Sequence, residues 1–223
     1  MRVATPGFPA ATLDDEGFPS WITGLASEHA IGTAHVVRGL APGDALHLLG
    51  VRPELVTPCQ LPAQRPDEWT SLPQAAIGQD DIAPVLMAGQ IGDWTFVYDD
   101  AGVTVHEDSA GEPGRPAPLA TMLSASGREA ATSTFTVDAD TELAYAADGD
   151  LLLHAVKNVD PAADNIPAGL RAAIELAGYF EPGDDKDAAS DCGINMRVLC
   201  ALAGLKITLG DLRKIPLLGA PFS

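Results

Sequence analysis

The stretch from Thr132 to Ala155, TSTFTVDADTELAYAADGDLLLHA, holds the dipeptide that most limits how this chain can fold, Asp148-Gly149. Asp-Gly between two β-prone runs favours a two-residue type I′ turn, because both central residues can take positive φ. Such a turn sets Tyr145 opposite Leu152 and Leu143 opposite His154 on one side. On the other side it sets Ala146 opposite Leu151 and Ala144 opposite Leu153. Apolar side chains on both faces predict a hairpin inside a covered sheet, not one half in water. The expected architecture is α+β: an antiparallel sheet of about five to seven strands, with helices from both termini packed on it.

Punctuation along the chain predicts the remaining elements. Residues 1–17 read as a flexible arm, and 18–223 as a single α+β domain. Pro19 fits the first turn of a short helix burying Trp21, Ile22 and Leu25. Thr33 to Arg38 has strand character, Pro42 can open a helix, and Gly50 can close it. From 51 to 84 the prolines at 53, 58, 62, 66, 73 and 84 predict an irregular connection without regular helix or central strand. Val85–Gln90 and Trp94–Tyr98 are strands, the second with Trp94, Phe96 and Tyr98 on one face, expected to lie against helices. The turn at 99–102 leads to a further strand at Val103–Val105, and Glu129–Val137 is the next. A helix from about Pro167 to Ala177 stops at Gly178. In the last long helix Ser190 or Asp191 caps and Ile194, Val198, Leu202 and Leu205 form the apolar stripe; Thr208 caps a short terminal helix.

Charge narrows the function classes. Thirty-one acids against 13 bases give a formal net charge of −18, which opposes binding to nucleic acid through phosphate neutralisation. It opposes anionic membrane surfaces for the same reason. No stretch approaches the roughly 18 consecutive apolar residues of a membrane span. The segment MRVATPGFPAATLDDEG lacks the apolar core of a secretory signal. Cys59, Cys192 and Cys200 form no CxxC pair and predict reduced thiols in a cytoplasmic protein.

The motifs of common catalytic sites are missing from the sequence. There is no GxSxG elbow, Walker loop or GxGxxG run; Ser124-Ala125-Ser126-Gly127 lacks the leading glycine of an elbow. His29, His35, His47, His106 and His154 form no HxH, HxxxH or HExxH pair. Asp138-Ala-Asp140-Thr-Glu142 resembles the start of a calcium loop, but Leu143 stands where the glycine is needed and Gly149 where the bidentate Glu is needed. No cofactor and no metal is expected. His154 is expected as a hydrogen-bonded packing histidine, and Cys192 and Cys200 as small buried hydrophobes.

Several short segments taken together resemble an actinobacterial family of domains with no established activity. They are Trp21, VVRGLAPGDALHLLG at 36–50, IGDWTFVYDDAG at 91–102, Leu123-Ser124-Ala125, AYAADGDLLLHA, and ALAGLKIT at 201–208. The chain departs from that pattern at 158–167, where ADNIP replaces a closely spaced Gly and Pro, and in a longer connection at 51–84. The resemblance implies an α+β fold and a cytoplasmic setting, and carries over no catalytic residue.

Three function classes remain. One is a non-catalytic, immunity- or antitoxin-like protein that offers an acidic surface to a basic protein partner; its candidate residues are Asp138, Asp140, Asp148, Asp150 and Arg38. The second is a structural or regulatory component that binds other proteins or itself. The third is an enzyme built on a constellation without a sequence motif, for which a deep polar pocket around Arg38 would speak. The acids cluster: 138–150 holds five with no base, and 181–191 holds five with only Lys186.

Overall fold

The computed structural model describes residues 7–27, 32–78, 83–105, 119–135, 141–156, 166–178 and 189–222, with the side chains of 156 and 189–192 outside the description. The type I′ turn forms as expected, with φ of 51° at Asp148 and 83° at Gly149. It joins β6 (Thr141–Ala147) to β7 (Asp150–Val156). The register beyond Ala146↔Leu151 is not the expected one. A β-bulge sets Tyr145 opposite Leu153, Ala144 opposite His154 and Leu143 opposite Ala155. Leu152 is the extra residue. A bulge inserts one residue on one strand and shifts every later pair by one, which is why turn chemistry alone misplaced the partners of Tyr145, Ala144 and Leu143.

Six further strands complete the described sheet: β1 (Gly32–Arg38), β2 (Thr57–Cys59), β3 (Val85–Ile91), β4 (Trp94–Asp99), β5 (Glu129–Phe135) and β8 (Leu217–Pro221). The order is β2-β8-β3-β4-β1-β5-β6-β7, with every neighbouring pair antiparallel. This makes eight strands where five to seven were expected. The two unexpected ones are β2 and β8, both short and both carrying proline. β2 is an edge strand, where a missing N–H on Pro58 costs little because only one side must pair. The strand expected at Val103–Val105 is instead helical. The hairpin partner of β4 is β3, through Gly92, which takes φ 58° in a two-residue turn.

Helices cover both faces. On one face lie α1 (Ser20–Leu25), α5 (Ala168–Leu176), α6 (Ala189–Leu202) and α7 (Leu209–Leu212). Trp21, Ile174 and Leu199 there share a core with Val36, Phe96 and Leu143 of the sheet. Trp21 meets Phe96 edge-on at 5.6 Å and Tyr98 at 6.4 Å, contacts worth about 0.5–1.5 kcal/mol each beyond burial. Phe96 and Tyr98 are fully buried as expected, while Trp94 at the strand start is half-buried. On the opposite face α2 (Pro42–Leu48) and α4 (Leu119–Ser124) bring Leu46 and Leu123 onto Val37, Leu86 and Val97. Gly89 marks the closest approach within the sheet. A Cβ there would lie 2.5 Å from the ring of Phe96 directly opposite and 2.9 Å from Leu217.

The Pro-rich connection is more ordered than its composition predicts. Besides β2 it contains α3 (Leu72–Ile77), entered through a capping box: Ser71 Oγ accepts from the Gln74 N–H, and Gln74 Oε1 accepts from the Ser71 N–H. Pro73 sits in the first turn, where its absent N–H has no partner to lose. The cap expected at Thr208 is present as well, and Asp211 completes it as a capping box. Of the residues expected as an arm, 7–17 are described, and Phe8 is buried in the core. Buried Arg197 on α6 fastens that segment, donating to the carbonyls of Gly17 at 2.7 Å and Ala177 at 2.9 Å. Burial lowers the pKa of Arg197 to about 10.

Candidate functional site

At one end of the sheet β1 finishes at Arg38, β5 starts at Glu129, and the β6–β7 turn presents Asp148 and Asp150. The ladder thus gathers three of the five sequence-predicted residues into one rim. Asp138 and Asp140 lie outside the described residues, and they precede β6 whereas Asp148 follows it.

Within the rim the residues differ in role. Asp148 is exposed, yet it serves the fold: its Oδ1 accepts the Gly127 N–H at 2.7 Å, and its own N–H reaches the Arg128 carbonyl at 2.8 Å. The Gly149 N–H donates to Ser124 Oγ at 3.1 Å. The hairpin tip is therefore tied to the end of α4. Asp150 is exposed at the first position of β7. Arg38 lines neither of the two clefts described below. About half exposed, it donates from Nε to Asp93 Oδ2 at 2.5 Å and from Nη1 to Glu129 Oε1 at 3.5 Å. The same hydrogen bond raises the Arg38 pKa and lowers that of Asp93. Glu129 Oε2 also accepts from the Tyr145 hydroxyl at 3.1 Å, and burial followed by the Glu129 charge pushes that phenol up to about 12.

Beside the rim is apolar surface that sequence reasoning placed inside. Leu151 and Leu152 on β7 are 41% and 40% exposed, and Met122 on α4, which packs against β6 and β7, is 40% exposed. The bulge bears on Leu152, which it takes out of its expected position against Tyr145, whereas Leu151 keeps its expected partner Ala146. His154, expected to hydrogen-bond, does so: Nε2 lies 2.5 Å from Glu142 Oε1.

A second polar cluster is buried at the opposite end of β1 and β4. His35 has no exposed surface; its Nδ1 lies 2.9 Å from Thr132 Oγ1 and its Nε2 3.0 Å from Thr104 Oγ1. Thr104 Oγ1 donates to Asp99 Oδ2 at 2.7 Å, so it accepts from His35. That order assigns the proton to Nε2 and leaves Nδ1 to accept from Thr132. Burial lowers the His35 pKa to about 4 against an opposing pull from Asp99. Next to it Asp100 accepts from Ser71 Oγ at 2.6 Å and from the Val85 N–H at 2.8 Å, and burial raises its pKa to about 6. The Tyr98 hydroxyl, buried nearby, has no hydrogen-bond partner among the described residues, and burial with the charges of Asp100 and Asp99 raises its pKa far above the ordinary value.

This cluster can hold elements together but offers no surface to a substrate, since His35 and Asp99 are both fully buried. Sequence reasoning missed it because its members are far apart in the chain. One signal was available: Ser71-Leu-Pro-Gln74 has the capping-box spacing, which the proline density obscured.

Two further surface clefts are formed by described residues elsewhere. One of about 480 Å³ is lined by Pro62, Gln64, Pro66, Asp67, Thr70, Ala75 and Gly78. The other, of about 560 Å³, runs along β2 and includes Cys59, Gln60, Arg213 and Lys214. Partial burial raises the pKa of the Cys59 thiol, which disfavours a reactive thiolate. Among the described residues no group of three or more His, Cys, Asp or Glu could hold a metal ion, and no helix is long and apolar enough to cross a membrane. The chain matches no family model, and neither curated proteins nor solved structures include a significant relative.

Proposed function

We propose that this is a non-catalytic, cytoplasmic protein-binding protein, immunity- or antitoxin-like in kind, that meets a basic protein at the acidic corner of its sheet. The observation that carries the reading is the adjacency of exposed Leu151 and Leu152 to Asp148 and Asp150 on one hairpin. Large apolar side chains beside like-signed charges suit a surface where burial supplies affinity and charge supplies speed and selectivity. The net charge of −18 adds a long-range field that draws a basic protein in. Arg38 takes no direct part in this reading; paired with Asp93 and Glu129, it holds the rim's carboxylates in place.

The test is capture of the partner from the native host, followed by association kinetics at low and high salt. Wild type is compared with a variant in which Asp148 and Asp150 are both changed to Asn. The expected result is a salt-sensitive association rate that falls in the variant while dissociation changes little. A captured protein that is not basic, or rates that respond neither to salt nor to the substitutions, would overturn the proposal.

A further inference from the structure

We infer that the outer edge of β7 is a strand-addition site for an extended segment of the basic partner; this rests on the partner-binding reading above and specifies its geometry. β7 is the last strand of the sheet, hydrogen-bonded to β6 on one side and to no described strand on the other. An edge strand leaves every second residue's N–H and C=O directed away from the sheet, a template for another backbone. Natural edges are commonly guarded by lysine, proline, a β-bulge or extreme shortness. β2, at the opposite edge, has two of these guards: it is three residues long and contains Pro58. β7 has seven residues, Asp150-Leu-Leu-Leu-His-Ala-Val156, with no lysine and no proline, and its bulge at Leu152 is confined to the turn end, leaving Leu153–Val156 in regular register.

Charge decides the occupant. A second copy of the chain would bring another −18 to the same edge. A basic segment meets Asp148 and Asp150 at the start of β7 and covers Leu151 and Leu152 next to them. Each strand pair already in the sheet is antiparallel, and an added antiparallel strand continues that pattern. Its C-terminal end then lies beside Asp150. The segment recognised is one that alternates apolar and basic residues and carries Lys or Arg toward its C-terminal end.

The experiment uses the full chain and three synthetic heptapeptides: Val-Lys-Val-Lys-Val-Lys-Val, its Glu-for-Lys counterpart, and the Lys peptide with alternate backbone amides N-methylated. Affinity is read by calorimetry, and amide hydrogen exchange is read at residues 151–155. The expected result is binding of the Lys peptide, with slowed exchange along β7. N-methylation and Glu replacement should each weaken binding by at least about tenfold, and the surface substitutions Leu151→Lys with Leu152→Lys should do the same. Equal binding of the methylated peptide, with exchange along β7 unchanged, would overturn strand addition and leave the acidic docking surface standing. No binding of the Lys peptide would overturn the inference about this edge, while the salt-dependent kinetics of the captured partner judge the broader reading separately. Concentration-dependent dimerisation that protects the same amides without peptide would overturn the basic occupant in favour of a second copy.

Discussion

His35 and Asp100 are expected to cancel one another in the pH dependence of stability, and a single substitution should expose this. Asp100 has its pKa raised from 3.8 to about 6, chiefly by burial. The folded protein therefore binds its proton more tightly than the unfolded chain does. The stabilisation is fully present below pH 3.8 and is lost as pH rises through about 6. At about 1.4 kcal/mol for each tenfold change in proton affinity, the loss is about 3 kcal/mol. His35 works in the opposite direction. Its pKa falls from 6.5 to about 4, so its contribution is present above pH 6.5 and is lost as pH falls through about 4. The two windows overlap and the magnitudes are similar, so wild-type stability is nearly level across them as far as these groups are concerned. Asn at position 100 can still accept from Ser71 or Val85, and it cannot ionise. The assay is urea unfolding of wild type and Asp100→Asn at half-unit steps from pH 4 to 7. The stability difference should shift in favour of the variant by about 2.4 kcal/mol over that range. His35→Gln, measured against wild type in the same way, should shift with the opposite sign. A difference that stays constant with pH for Asp100→Asn would refute the reasoning, because a lost contact alone does not titrate.

Other substitutions test separate links. Asp148→Asn should leave the melting temperature nearly unchanged, since Asn tolerates the left-handed turn and can still accept from Gly127, whereas Asp148→Ala should cost about 1–2 kcal/mol by calorimetry. Gly89→Ala should cost about 1–3 kcal/mol in denaturant unfolding, because the new methyl group meets Phe96 and Leu217 below contact distance. Tyr98→Phe should hold or raise stability by up to about 1 kcal/mol in the same assay, since it removes a buried hydroxyl that has no partner among the described residues.

The sequence made local structure legible wherever one residue type dictated one conformation. Asp148-Gly149 fixed a type I′ turn, Pro42 and Gly50 bracketed α2, and Thr208 capped α7. It failed where a decision belonged to residues far apart. The bulge at Leu152 answers to packing across the sheet, so a pairing counted outward from the turn went wrong by one residue. Leu217–Pro221 becomes a strand because β3 and β2 flank it, not because LLGAP has strong β-propensity. Of the candidate site, the acids on the hairpin were readable, and the exposed leucines beside them were not; only Leu152 is displaced by the bulge. The His35 cluster joins positions 35, 99, 104 and 132, which no spacing rule connects.

The place of β8 between β2 and β3 also governs when the sheet can close. Synthesis delivers Thr57–Cys59 long before Leu217–Pro221, and within the described sheet β2 has no other neighbour. On the nascent chain β3, β4 and β1 can already zip together, while the outer side of β3 waits for a strand made much later. Contacts of such sequence separation slow folding and lengthen the interval in which an apolar edge is open to other chains. Removal of 217–221 would reproduce that interval permanently, leaving β3 as a raw edge and the buried surface around Ala88 and Met87 without its cover.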